Sequence, residues 1–148
     1  MKRLLAALVL TSAAGCGGSD SSPTKNLANF LGAAWNGQTS VTVTCPGSAP
    51  QSQSAAFAVA FTAGTDADFQ YTSQGGCFYK FNVSGNTASL SNAPVSCTTT
   101  VNGTTVTTTW SSYTLTTSDG HNLSITTSGS GAALGQTCPF TQTGTATR

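Results

Sequence analysis

The feature that most constrains the fold is an alternation of apolar and polar residues that begins at Trp35. In the stretch 77–83, for example, Tyr79 and Phe81 share one parity and Lys80 lies on the other. Successive side chains of a β-strand point to opposite faces of a sheet, so each such stretch predicts a strand with one buried face. The alternation therefore predicts an all-β protein.

Turn signals separate the alternating stretches, and Asn102-Gly103 and Asp119-Gly120 are dipeptides favoured in tight hairpins. Short connections join antiparallel neighbours, because parallel pairing needs long crossovers. We expect a small antiparallel up-and-down meander of about eight strands, barrel-like, with a two-sheet β-sandwich as the alternative. The predicted strands fall near 35–45, 55–62, 67–73, 77–83, 87–101 with a break at Pro94, 105–117, 122–128 and 138–146.

Two further local features modify this pattern. Within 105–117 the apolar phase slips between Trp110 and Tyr113, which predicts a β-bulge at Ser111-Ser112. Ahead of the first strand, apolar residues at helical spacing predict a short helix that covers one end of the core. These residues are Leu27, Phe30, Leu31 and Ala34.

Charged residues are scarce, with five Lys and Arg, four Asp and no Glu in 148 residues. No basic cluster is present, so no nucleic-acid partner is expected. Thr and Ser make up close to a third of the chain and fall mostly opposite the apolar residues. A Thr-rich outer face favours β-strands and keeps the surface polar without adding charge. Leu, Ile, Val and Phe total only 26 residues, which predicts a thin hydrophobic core.

The chain has five cysteines, of which four lie in the predicted β region. These four lack the Cys-x-x-Cys spacing of zinc or redox sites, and their even number fits two disulfides in an oxidising compartment. Four cysteines allow three pairings. We favour Cys45–Cys138, from the end of the first predicted strand to the start of the last, and Cys77–Cys97, between neighbouring strands. Each disulfide adds roughly 2–4 kcal/mol to the free energy of unfolding, which matters for a domain with a thin core.

The N-terminal fifteen residues have the parts of a secretory signal peptide. Lys2 and Arg3 give a positive start, 4–10 is apolar, and 11–15 consists of small residues. A membrane-spanning helix needs about 20 apolar residues, and this run is much shorter.

The segment Ala13-Ala14-Gly15-Cys16 resembles the lipobox of bacterial lipoproteins, with Ala13 where Leu is most frequent. The resemblance implies cleavage before Cys16, lipidation of that residue and attachment to a membrane without a spanning segment. Because Gly17 stands where Asp retains lipoproteins in the inner membrane, the resemblance also implies the outer membrane. Ordinary secretion after cleavage at Ala14 is the alternative, but it leaves an odd thiol.

The predicted organisation is therefore a signal peptide over 1–15, a lipidated N-terminus and flexible tether over 16–26, and a disulfide-stabilised β domain over 27–148. The tether is predicted because it contains no large apolar residue and cannot bury enough surface to offset its ordering entropy.

Groups able to perform catalysis or bind metal are few. The single histidine, His121, follows a predicted hairpin turn, and neighbouring serines such as Ser112 and Ser118 are not distinguished as nucleophiles. Asp66 and Asp68 lie together, but Ca²⁺ needs six to eight oxygen ligands. We therefore expect no catalytic residue, no metal and no cofactor, and a protein that is not an enzyme.

A set of aromatic residues on the predicted strands forms the candidate lining of a ligand cavity. An eight-stranded barrel either fills its interior with side chains or leaves room for one small ligand. The predicted set is Phe57, Phe61, Phe69, Tyr71, Tyr79, Phe81 and Trp110, with Tyr113 beside it.

A short helix and a Trp ahead of an eight-stranded meander resemble the lipocalins in architecture, although Gly32 precedes Trp35 by three residues where that family has Gly-x-Trp. The expected function is a lipid-anchored cell-envelope protein with a non-enzymatic structural or interaction domain. The alternative, implied by the lipocalin resemblance, is a carrier of a small apolar ligand. The expected partners are a membrane, reached through Cys16, and either an envelope protein or that ligand.

Overall fold

Ten antiparallel strands form one curled sheet in the computed structural model, which describes residues 23–148. The all-β fold and its meander organisation are thereby confirmed, whereas the predicted signal peptide, Cys16 and most of the predicted tether lie outside the described residues. The strands are β1 (Trp35–Val43), β2 (Gln51–Val59), β3 (Thr62–Ala63), β4 (Phe69–Thr72), β5 (Phe78–Ser84), β6 (Thr87–Leu90), β7 (Val95–Val101), β8 (Thr104–Thr116), β9 (Asn122–Ala133) and β10 (Gln136–Thr147).

The strand order is β2-β1-β10-β9-β8-β6-β5-β4-β3, and β7 pairs with the other half of β8. Only Ala60 and Phe61 separate β2 from β3, so the chain itself links the two ends of the sheet. No hydrogen-bonded ladder joins β2 to β4 within the described chain. The result is a half-barrel with a gap between these two strands.

The count of ten arises from two interrupted strands. The break predicted at Pro94 separates β6 from β7, and both pair antiparallel with β8. The predicted strand 55–62 is likewise divided into β2 and β3. The predicted bulge is confirmed, because the β8–β9 register shifts between Trp110 and Ser112.

The predicted helix is present only as a single 3₁₀ turn, Leu27–Asn29. Gly32 has a φ of 110°, a left-handed conformation that an α-helix does not contain. Phe30 is nevertheless fully buried and accepts a hydrogen bond from the indole N–H of Trp35 at 3.2 Å. The turn therefore covers one end of the core, as expected of the helix.

Two strands are longer than their apolar alternation indicates. β9 continues to Ala133 and β10 begins at Gln136, although 128–137 contains mainly small residues. The connecting turn has positive φ at both Leu134 and Gly135, 50° and 77°. Hairpins of this type favour Asn or Gly at the first position, so Leu134 gave no turn signal.

The half-barrel has two different ends. At the N-terminal pole, the start of β1 lies beside the end of β10, with Asn36 opposite Thr147. At the hairpin pole lie the turns at Asn102-Gly103 and Leu134-Gly135. Side chains buried in the core are concentrated toward the N-terminal pole and include Phe30, Trp35, Phe61, Phe69, Phe81, Leu115, Leu123 and Ile125.

Both disulfides favoured from the sequence, Cys45–Cys138 and Cys77–Cys97, are present. Cys138 lies opposite Gly131, which pairs with Thr108, and Thr108 pairs with Cys97. The two bonds therefore occupy one crosswise row of the sheet, where the core ends and the hairpins begin. The second bond was expected between neighbouring strands. It instead connects the residue before β5 to β7, two strands that do not pair.

Candidate ligand cleft

The concave side of the half-barrel contains a cleft near the gap between β2 and β4. An inner cavity of about 210 Å³ adjoins an outer groove of about 580 Å³. The two spaces share Phe57, Ala58, Val59, Tyr71 and Ser73 in their walls. We refer to the cavity and groove together as the cleft.

Cross-strand pairing arranges the aromatic residues in two tiers. Phe69 on β4 lies opposite Phe81 on β5, and their rings stack with centroids 5.0 Å apart. Phe30 and Phe61 contact Phe69 at 5.4 and 4.9 Å, which fills the space toward the N-terminal pole. This first tier belongs to the packed core.

The second tier lies nearer the hairpin pole, two residues after Phe69 on β4 and two residues before Phe81 on β5. Tyr71 opposes Tyr79, and the two rings stack at 5.3 Å with an interplanar angle of 11°. Trp110 and Tyr113 meet Tyr79 edge-on at 5.4 and 5.7 Å. Aromatic pairs in these geometries contribute about 0.5–1.5 kcal/mol each beyond their buried area. The rings of this tier pack against one another and form an aromatic wall for the cleft.

The bulge in β8 determines which residues face the cleft. Trp110 and Tyr113 are three residues apart, so in a regular strand their side chains would point to opposite faces of the sheet. Ser111 is the extra residue of the bulge, and it brings the two side chains to the same face. The register shift brings Trp110 opposite Gly129 and Tyr113 opposite Thr127, so both line the cavity. Gly129 has no side chain, and the rings of Trp110 and Phe140 meet beside it at 6.0 Å.

The polar groups of the cleft are uncharged. Thr39, Ser73 and Gln142 line the cavity, and Thr127 donates to the side-chain oxygen of Gln142 at 3.4 Å. Burial raises the pKa values of Tyr71, Tyr79 and Tyr113 further above physiological pH, where phenols are already neutral. The cleft therefore offers hydroxyl and amide groups within an aromatic wall, and it suits a neutral ligand.

The structure divides the predicted cavity-lining set. Phe57, Tyr71, Tyr79 and Trp110 line the cleft, together with Tyr113. Phe61, Phe69 and Phe81 lie in the packed tier. An aromatic residue on the inward face can either pack into the core or line a cavity, and sequence parity does not distinguish these two positions.

Three polar residues that line the inner cavity were missing from the predicted set. Thr39 has the parity of Val41 and Val43, and Gln142 has the parity of the buried Phe140. This parity placed both on the inward face and could have identified them. Ser73 lies in a turn, where the alternation gives no information.

Of the residues considered for chemistry, Asp66 and Asp68 lie in the bend before β4, and His121 lies in the bend before β9. His121 is exposed, and Asp119 accepts hydrogen bonds from the backbone N–H groups of His121 and Asn122, both at 2.8 Å. Asp66 and Asp68 are paired with Lys80 and Lys25. Within residues 23–148 no three His, Cys, Asp or Glu side chains are grouped to hold a metal ion.

The described part of the chain contains no helix of sufficient length and apolarity to cross a membrane. Its two disulfides are consistent with an exported protein. No family model matches the chain, and neither a curated protein nor a solved structure matches it.

Proposed function

We propose that this protein is a lipid-anchored component of the bacterial cell envelope, held at the outer membrane, whose β domain is a non-enzymatic structural or interaction module. The pairing of the cysteines carries the proposal. Four of the five are joined in two disulfides, and the one that remains, Cys16, stands in the segment that resembles a lipobox. Lipidation gives that sulfur a chemical role.

The position of the described N-terminal residues supports this arrangement. Lys25 contacts Asp68 just ahead of β4 at 2.9 Å, and Asn26 donates its backbone N–H to Gly85 at 3.1 Å. Both contacts are at the N-terminal pole, on the side opposite the turns of the hairpin pole. A tether leaving this pole would direct the hairpin turns away from the membrane.

Labelling with a radioactive fatty acid tests the anchor. The wild-type protein is expected to incorporate the label and to sediment with the membranes, and Cys16→Ser is expected to lose both properties. Gly18→Ser changes a residue two positions after Cys16 without removing the sulfur, and it should behave as the wild type. Absence of label from the wild type, or membrane retention of Cys16→Ser, would contradict the proposal.

A second function is favoured by the cleft: transport or retention of a small neutral apolar ligand. Ligand sites commonly have volumes of about 300–1,000 Å³. The outer groove, at about 580 Å³, is in this range, and it leads to the aromatic wall of the inner cavity.

Binding of the uncharged fluorescent probe N-phenylnaphthylamine tests this function. Trp110→Ala is expected to weaken binding, because it removes part of the aromatic wall. Phe78→Ala removes an exposed aromatic ring on the opposite face of the sheet and should leave binding unchanged. Equal binding by both variants, or none by the wild type, would reject the cleft as a ligand site.

A further inference from the structure

Among residues 23–148, β2 is the longer of the strands at the two ends of the sheet, and its outer edge pairs with no described strand. β2 has nine residues and pairs with β1 on one side, while β3 at the other end has only two. Residues Gln51 to Ala56 are all exposed. An unpaired edge presents backbone donors and acceptors that can bind another strand.

The hydrogen-bonding pattern identifies which groups point outward. Thr44 donates to Pro139 at 3.0 Å, and the adjacent pair Cys45–Cys138 has a Cα separation of 4.4 Å, typical of a pair without hydrogen bonds. Alternation along β1 therefore directs its even-numbered residues to β10 and its odd-numbered residues to β2.

The β1–β2 register transfers this parity to the edge. Val43 lies opposite Gln51 and Trp35 opposite Val59, so odd-numbered residues of β2 bond to β1. The backbone N–H and C=O groups of the even-numbered residues point away from the sheet. These residues are Ser52, Ser54, Ala56 and Ala58.

The edge lacks the features that usually prevent strand addition. Natural edge strands are protected by charges, by proline, by bulges or by shortness. β2 has no charged residue and no proline, its register with β1 is continuous over nine pairs, and the flanking segment 44–62 is also uncharged. Two copies of this edge would therefore meet without charge repulsion.

We propose that β2 pairs antiparallel with β2 of a second copy of this chain. A two-fold axis at Ala55 would place Ser54 opposite Ala56 of the second copy, and Ser52 opposite Ala58 of the second copy. The outward-facing groups of all four residues would then pair, and the side chains at these positions are small. Such an interface uses the same patch on both subunits, as two-fold symmetry requires.

This pairing depends on the backbone edge alone and does not rest on lipidation or on a ligand. The test uses the intact protein purified in mild detergent, with the molar mass of the protein measured by light scattering over a range of concentrations. The wild type is expected to change from monomer to dimer, a doubling of mass. Hydrogen exchange measured on the same samples should slow at Ser54 and Ala56 as the concentration rises.

Three variants sharpen the test. Ala56→Pro removes an outward N–H that β1 does not use, so the fold should persist and the dimer should be lost. Ser54→Lys puts a charge on the edge, whereas Ser40→Lys puts the same charge opposite it on the interior strand β1. Ser54→Lys should remain monomeric and Ser40→Lys should dimerise.

A wild type that is monomeric at every concentration would overturn the proposal. So would a dimer that survives Ala56→Pro with unchanged exchange at Ser54, because its contact would lie elsewhere. Protection of the edge that requires a different envelope protein, and that does not respond to concentration, would also overturn it.

Discussion

The guanidinium carbon of Arg148 lies 4.5 Å from the centroid of the fully buried ring of Trp35. The same guanidinium donates hydrogen bonds to the carbonyl oxygens of Leu31 and Gly120, and to that of Asn29 at 3.2 Å. One side chain thereby joins the segment before β1, the turn before β9 and the end of β10. Arg suits this position because its planar group offers several donors in fixed directions.

Arg148→Ala is expected to lower the free energy of unfolding by about 4 kcal/mol, from roughly 1 kcal/mol for each of the three hydrogen bonds and a cation–π contribution of similar size. Arg148→Lys keeps the positive charge but loses the fork of donors, so it should recover only part of this loss. Urea denaturation measures both values. Full stability of the Lys variant would contradict the role of the hydrogen bonds.

The disulfides are predicted to stabilise the fold unequally. Cys45–Cys138 spans 93 residues of sequence and Cys77–Cys97 spans 20. On the chain-entropy model, the difference in loop length corresponds to about 1.4 kcal/mol. Replacing the first pair with Ser should therefore lower the unfolding free energy more than replacing the second. The reverse order in urea denaturation would contradict this expectation.

β1 and β10 approach each other so closely at Gly144 that no side chain fits there. A Cβ at Gly144 would lie 2.6 Å from the carbonyl oxygen of Gln38 and 3.1 Å from the Cα of Thr39. Gly144→Ala should therefore destabilise the fold by about 1–3 kcal/mol. Gly131→Ala is the matched control, because a Cβ there meets nothing within 4 Å. Equal stability of the two variants would show that β1 and β10 are not this close.

Stability is expected to fall in acid. A hydrogen bond from the backbone N–H of Val83 at 2.7 Å, together with Lys25, lowers the pKa of Asp68. Hydrogen bonds from Asn122 and from the N–H of His121 lower the pKa of Asp119. A carboxyl group with a depressed pKa stabilises the fold above its unfolded-state value and loses that effect as the pH falls through its folded value.

The free energy of unfolding should therefore decrease as the pH falls below about 4, near the unfolded-state pKa of Asp. Urea denaturation at a series of pH values measures the slope. Asp119→Asn should be less stable at neutral pH and should depend less steeply on pH. An unchanged slope in this variant would remove Asp119 from the explanation.

Sequence patterns predicted the parts of the fold in which one face is buried. Parity identified the inward positions of Tyr79 and Phe81, and the phase slip after Trp110 located the bulge. The start of β2 was missed because Gln51 to Ser54 form an exposed edge, where no apolar residue records the alternation. Likewise, small residues in β9 and β10 near Leu134 carry no periodic signal.

The cleft was only partly predictable for a different reason. Phe69 and Tyr71 both point to the inward face of β4. Which of the two faces open space depends on the position along β4 at which the gap to β2 begins. That gap results from the bend at Ala60 and Phe61, where the chain stops pairing with β1 and begins to pair with β4. No local pattern specifies such a long-range change of partner.

The mass of the intact protein purified from the cell envelope, measured before and after reduction, reports both the lipidation of Cys16 and the two disulfides. We expect a chain that begins at Cys16 and carries acyl groups, and whose mass rises on reduction by the four hydrogens that two disulfides take up. An unmodified chain that begins at Cys16 or earlier, recovered in a soluble fraction, would contradict it.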